Sequence, residues 1–243
     1  MNITRKHYAP LCIALAVGMF WFATSARADK HNFDQWRDEL RTEALAQGIK
    51  AETFDTAFKG VVPIPRVIEL DRHQPEFTMT FDQYVSRIIN DKRVQEGREK
   101  YTQNRDLLNE VGKKFGVQPR FIVALWGIET GFGRHTGGFP VIASLATLAL
   151  DGLRSSFFRK ELLISLKILN EGHISPERMK GSWAGAMGQN QFMPSSFARH
   201  AIDYDGDGRR DIWTSKPDVF ASTAKYLAAS GWRDDITWGR PVR

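Results

Sequence analysis

The chain has a single cysteine in 243 residues, and it stands at position 12. No intramolecular disulfide can brace the fold, so stability must come from a buried core, which a chain of this length can supply. The six histidines include no close pair at zinc-ligand spacing. No P-loop and no dinucleotide fingerprint occurs, and nothing points to an organic cofactor. The net charge of +6 does not come from clustered Lys and Arg, so nucleic acid is not an expected partner. The apolar run from Pro10 to Ala23 is shorter than the roughly 17–25 residues that cross a bilayer, which excludes a stable membrane span.

That short run has a different reading. Arg5 and Lys6 precede it, and Ala26 and Ala28 follow it, which is the three-part pattern of a secretory signal peptide. Cleavage is expected after Ala28. Cys12 lies at the front of the run, the wrong end for a lipid anchor. Removing Arg5, Lys6 and Arg27 with residues 1–28 lowers the net charge to +3. Such a mild excess fits an anionic polymer and equally an ordinary surface. The remainder, residues 29–243, is expected to be one domain, because no linker is long enough to divide it.

From Phe33 onward the apolar spacing is helical, with little strand alternation and no internal repeat. Trp36, Leu40 and Ala44 share one face of an opening helix. Residues 82–112 read as one long helix or two abutting ones, and Pro63, Pro65 and Pro75 break the chain before them. Pro119 fits the first turn of a strongly apolar helix that Gly131 stops; its composition predicts burial on most sides. Further helices are expected over residues 155–170 and 217–229. The fold class is therefore mainly α.

Three stretches carry candidate chemistry. Glu129 ends the apolar helix, just ahead of Gly131-Phe132-Gly133. Apolar neighbours and the negative end of the helix dipole both disfavour its charged form. It reads either as a retained proton donor or as an exposed helix end. Gly181-Ser182-Trp183-Ala184-Gly185-Ala186-Met187-Gly188 and the following Gln189 to Pro194 allow close backbone approach to a ligand. Gln191 suits sugar hydroxyl and acetamido groups, and Phe192 or Trp183 could pack on a sugar face; the other reading is a Gly-rich loop with an aromatic plug. Asp203, Asp205, Asp207, Arg209 and Asp211 follow the spacing of an EF-hand loop, with Gly206 at its sharp turn. Position twelve is Thr214 rather than glutamate, so Asp218 or Asp211 must complete a Ca²⁺ site. A surface turn rich in Asp and Gly is the competing reading.

The stretches Ala124-Leu-Trp-Gly-Ile-Glu-Thr-Gly-Phe-Gly133, Pro140-Val-Ile-Ala-Ser-Leu-Ala-Thr-Leu148 and Gly181 to Gly188, followed by the acidic loop through Trp213, together resemble the lytic murein transglycosylase B family, the family 103 lytic transglycosylases. The resemblance runs from about Phe33 to Trp238. It implies a lysozyme-like helical core with an N-terminal helical extension and an EF-hand-like calcium loop. It implies periplasmic cleavage of the N-acetylmuramic acid–β-1,4–N-acetylglucosamine bond of peptidoglycan strands, leaving 1,6-anhydro ends. Glu129 matches the catalytic acid/base, and Ser182, Gln191, Phe192 and Tyr226 match sugar-binding positions. Arg154 matches one of two adjacent basic residues, the other being replaced by Leu153. Family members usually continue past Gly231-Trp232 with a segment bearing a Tyr-Asn motif, and a C-terminally short member is expected here. That departure leaves two alternatives open: a non-catalytic peptidoglycan-binding protein and a hydrolytic muramidase.

Overall fold

A computed structural model describes residues 32–73, 79–151 and 154–236. The expected signal peptide with Cys12, as well as Pro75 and Leu153, lies outside the described residues. The chain divides into two compact units, Met1–Glu43 and Ala44–Arg243. Helix α1 (residues 32–46) begins in the first. Phe33 stacks on Trp36 with ring centroids 5.8 Å apart, Leu40 is fully buried, and Arg37 pairs with Asp34 at 2.9 Å. Among the described residues, no helix is long and apolar enough to cross a membrane.

The second unit is helical almost throughout, as the apolar spacing predicts. Its helices are α2 (Ala51–Ala57), α3 (Pro65–Arg72), α4 (Phe81–Ile88), α5 (Asp91–Gln103), α6 (Arg105–Phe115), α7 (Pro119–Thr130), α8 (Val141–Asp151), α9 (Ser155–Asn170), α10 (Pro194–His200) and α11 (Lys216–Ala229). Pro65 opens α3 rather than interrupting the chain, because proline's missing N–H costs nothing in a first turn. The span expected as one or two helices is three. Asn90 caps α5 by accepting from the Arg93 N–H at 3.0 Å. Asn104 ends α5 by donating from its side chain to Lys100 O at 2.8 Å. Asparagine side chains compete with the backbone ladder for such partners, so they end helices that hydrophobic spacing alone would continue.

The core that positions the site joins α6, α7 and α11 through Leu108, Val111, Ile122, Trp126, Val219 and Phe220. Helix α7 is not buried on most sides as its composition suggested: Arg120, Ala124, Ile128 and Glu129 form an exposed face. Helix α8, by contrast, is buried at every position from Val141 to Ala149. Strands β1 (Phe139–Pro140) and β2 (Lys180–Gly181) pair antiparallel and bring the Gly-rich stretch to the start of α8. Gly185 is needed for that contact: its φ is +89°, and a Cβ there would come 2.5 Å from Leu145 Cδ2.

Leu145, fully buried, therefore holds both α8 and the loop above it. Leu145→Ala is expected to lower unfolding free energy by about 2–5 kcal/mol, the range for leucine truncation in a close-packed core. Urea denaturation checks it, and a loss below about 1 kcal/mol would show that the loop collapses into the space.

Candidate functional site

Helix α7 ends in an unusual turn. Gly131, Phe132 and Gly133 all take left-handed backbone, with φ of 56°, 63° and 85°. Phe132, the one of the three with a side chain, folds back over the helix, where a Cβ on Gly127 would come 2.7 Å from its ring. Its ring meets Trp126 edge-on at 5.5 Å, and Trp126 meets Phe220 of α11 at 5.1 Å. The turn leaves Glu129 at the open end of the helix, against the Gly-rich loop.

That loop is a second tight construction. Ser182 accepts from the Ala186 N–H through its hydroxyl at 3.0 Å. Met187 and Phe192 exchange both backbone hydrogen bonds, at 2.8 and 3.0 Å, which closes residues 188–191 into a short turn. Gln191 takes left-handed backbone with φ of 50°, a costly state for a residue with a Cβ. Its side-chain amide donates to Gly188 O at 3.0 Å and to Thr136 O at 3.2 Å. Phe192 is buried, with its ring 5.6 Å from that of Tyr226 on α11, and His200 closes the cluster 5.2 Å from Tyr226. Burial, then the nearby Arg199 and Lys225, hold the His200 pKa down, so this third ring is neutral near pH 7.

Glu129, Gln191, Phe192 and Tyr226 line one cavity of about 160 Å³. Of the sugar-binding positions implied by the resemblance, Gln191, Phe192 and Tyr226 are brought together with Glu129. Ser182 lies in the loop that carries them, with its hydroxyl engaged locally. Arg154 is outside the cavity, paired with Asp71 at 2.7 Å and lying over the Phe158 ring. Phe192, not Trp183, is the loop aromatic at the cavity. Glu129 is solvent-exposed as a residue, yet burial of its carboxyl pushes its pKa above the ordinary carboxylate value. A larger groove of about 480 Å³ between α5 and α7 is lined by apolar residues with Arg93, Arg98 and Arg120. Its described lining includes no carboxylate, whereas the smaller cavity includes Glu129.

Sequence reasoning missed Asn190. Its amide donates to Val219 O at 2.7 Å and to Thr223 Oγ1 at 2.5 Å, while its buried Oδ1 has no partner among the described residues. It lines the Glu129 cavity, and only its place beside Gln191 could have flagged it.

In the acidic loop the structure brings Asp203, Asp205 and Asp218 together, with ligand-capable oxygens all within 4.8 Å of one another. Asp218 is fully buried and accepts from the Tyr204 and Asp211 N–H groups, each at 2.7 Å. Burial pushes its pKa up. Asp207 instead faces Arg209, at 3.0 Å, and Asp211 accepts from the Trp213 and Thr214 N–H groups at 2.9 and 2.8 Å. Of the five expected carboxylate ligands, Asp207 and Asp211 thus stand outside the cluster, while Arg209, at loop position seven, would offer its backbone carbonyl. Between Asp211 and Asp218, the structure brings Asp218 into it. Three carboxylates, one of them buried, offer hard oxygen donors that fit a divalent cation of the Ca²⁺ type.

The family model for the Transglycosylase SLT domain matches residues 32–243. Membrane-bound lytic murein transglycosylase B of Escherichia coli is 38% identical over 150 residues, which are 61% of this chain and 41% of that protein. The crystal structure of SltB3 from Pseudomonas aeruginosa in complex with NAG-anhNAM-pentapeptide is 49% identical, with a TM-score of 0.82. The match covers 85% of this chain and 55% of SltB3. The Escherichia coli lytic transglycosylase Slt35 in complex with calcium is 32% identical, with a TM-score of 0.71 over 84% of this chain and 64% of that one. The chain thus spans about half the length of SltB3 and less of the curated relative. The fold class read from the sequence, a mainly helical lysozyme-like core, is that of these structures.

The raised pKa of Glu129 has a signed consequence for stability. A carboxyl whose folded pKa exceeds its unfolded value stabilises the fold at low pH and loses that contribution as pH rises through the folded pKa. Glu129→Gln should therefore stabilise the protein at pH 7 and not at pH 3. Solvent screening of this exposed group keeps the gain below about 1 kcal/mol, or about 2–4 °C in Tm. Equal melting temperatures for variant and wild type at pH 7 would contradict the raised pKa.

Proposed function

Because the chain belongs to the Transglycosylase SLT domain family, we propose that it is a peptidoglycan lytic transglycosylase. It cleaves the β-1,4 bond between N-acetylmuramic acid and N-acetylglucosamine and leaves a 1,6-anhydro ring on the muramic acid. The observation that carries this reading is the carboxylate count. Glu129 is the one acid among the described residues lining its cavity, and burial favours its protonated form. A glycoside hydrolase of the usual kind needs a second carboxyl group, about 5–5.5 Å away if retaining and about 6.5–9.5 Å if inverting.

One carboxyl group suffices when the substrate supplies the rest. Glu129 gives its proton to the glycosidic oxygen as the bond from C1 of the muramic acid to that oxygen breaks. The acetamido carbonyl of the same sugar stabilises the positive charge left at C1. Glu129, now a carboxylate, takes the proton of the C6 hydroxyl, whose oxygen bonds to C1. No water is consumed, and Glu129 ends protonated. The NAG-anhNAM-pentapeptide held by SltB3 has the anhydro end that this sequence of steps forms.

Around Glu129, the half-open ring of Tyr226, backed by Phe192 and His200, offers an apolar face to a sugar ring. Gln191 and Ser182 fix the loop that holds Phe192 behind this face. Arg154, held by Asp71, offers its guanidinium to a carboxylate of the lactyl or peptide part of the substrate. Asp203, Asp205 and Asp218 hold Ca²⁺ as a structural ion, a reading supported by the calcium complex of Slt35 and by their convergence. The ion fastens the loop ahead of α11 and supplies no chemistry to Glu129. The expected signal sequence and the proposed wall substrate support a periplasmic location.

Digests of purified sacculi should contain muramoyl ends lighter by one water than hydrolytic products, and mass spectrometry reads this directly. Glu129→Gln should lower turnover by roughly 10²–10⁴-fold; wild-type turnover in that variant, or reducing muramoyl ends alone, would overturn the reaction. Calcium at about a hundredfold excess over its Kd should add about 2.7 kcal/mol, or roughly 5–10 °C in Tm. Coincident melts with calcium and with chelator would remove the metal from the account.

A further inference from the structure

Gln189 lies between the two motifs that build the site and does not line the cavity. All four of its polar groups are engaged. Its side-chain oxygen accepts from the Trp126 indole N–H at 2.7 Å, and its side-chain amide donates to Trp213 O at 2.8 Å. Its backbone N–H donates to Ile212 O at 2.8 Å, and its backbone carbonyl accepts from the Thr130 hydroxyl at 3.0 Å. The same hydroxyl accepts from the Gly133 N–H at 3.0 Å. Gly133 can only be glycine for this reason as well as for its backbone: a Cβ there would come 2.3 Å from Gln189 Oε1.

Trp126 stands three residues before Glu129 and Thr130 one residue after it, so both hold the helical turn that carries the carboxyl. We propose that Gln189 is the positioning residue for Glu129, clamping that turn to the Gly-rich loop and to the main chain at Ile212 and Trp213. Trp126 is buried and lines the cavity, and its indole N–H has Gln189 as its acceptor. Remove that acceptor and a buried donor is left unsatisfied, which draws water to the wall behind Glu129. The other described side chains lining the cavity carry no charge, so exclusion of water is what raises the carboxyl's pKa.

The inference rests on Glu129 as the proton donor, and its test separates the two. Gln189→Met keeps the length of the side chain and deletes both of its hydrogen bonds. Thr130→Val deletes the hydroxyl at the other flank, and Thr130→Ser restores it. The Glu129 carboxyl is titrated by ¹³C NMR, its signal identified by loss in Glu129→Gln, alongside kcat and KM on soluble peptidoglycan fragments. In Gln189→Met and Thr130→Val the carboxyl should titrate lower than in wild type, and the alkaline limb of kcat should move down with it. Turnover should fall about 10–100-fold, the scale of a small misplacement of a catalytic group, with KM changed less than about threefold. Thr130→Ser should match wild type. If Gln189→Met does not fold, Thr130→Val decides. An unchanged Glu129 titration in a folded variant, or a rise in KM with kcat intact, overturns the proposal. Wild-type turnover in Glu129→Gln would instead overturn the proton-donor reading, while the NMR titration would still decide whether Gln189 positions the carboxyl.

Discussion

Three consecutive left-handed residues after α7 are the constraint on which the site depends. A helix that simply continued past Thr130 would add turns beyond Glu129 in place of the open end at which the acid now sits. The reversal at Gly131, Phe132 and Gly133 stops it one residue after the acid and tucks the Phe132 ring against Gly127. Only the middle residue of the three has a Cβ, and its strain is offset by the burial of an aromatic ring against Trp126. On the opposite wall the loop makes a matching commitment, with Gln191 held left-handed by its own amide. Strain on both sides of one small cavity is the pattern expected where pre-organisation matters more than local comfort.

Much of this was legible in the amino-acid order, and the reasons differ by element. Pro119 and Gly131 mark α7 because each residue has a backbone preference that only one end of a helix satisfies. Helices α9 and α11 follow from apolar spacing. The division between α4, α5 and α6 was not legible, because Asn90 and Asn104 end helices through hydrogen bonds that spacing does not record. The exposed face of α7 was hidden for a related reason: Ala124 and Ile128 are apolar, so nothing in the pattern marks them as open to solvent. At the site itself, Glu129 stood out by its surroundings, whereas Tyr226 entered only by family resemblance, since it is one tyrosine on an ordinary helix. Gln189 and Asn190 had no signal beyond their place in the Gly-rich stretch beside Gln191, because their roles lie in partners far along the chain.

The acidic loop illustrates the same division. Spacing picks out the residues competent to bind a cation, and the fold selects among them. Asp218 joins Asp203 and Asp205 because α11 begins there and presents its first turn to the loop. Asp207 has a nearer partner in Arg209, and Asp211 is occupied in capping the turn at Trp213. The loop is thereby tied at both ends, to α11 through Asp218 and to the Gly-rich turn through Ile212.

A cavity with one carboxyl group also sets the proton traffic of the proposed reaction. The proton that Glu129 releases to the departing sugar is replaced by the one it collects from the C6 hydroxyl of the sugar that remains. Acid and base are the same atoms at successive moments, so each turnover returns the group to its starting state without exchange with bulk water. Such a site needs no channel for protons and no second group tuned to refill the first, and a cavity no larger than a few water molecules is sufficient to house it.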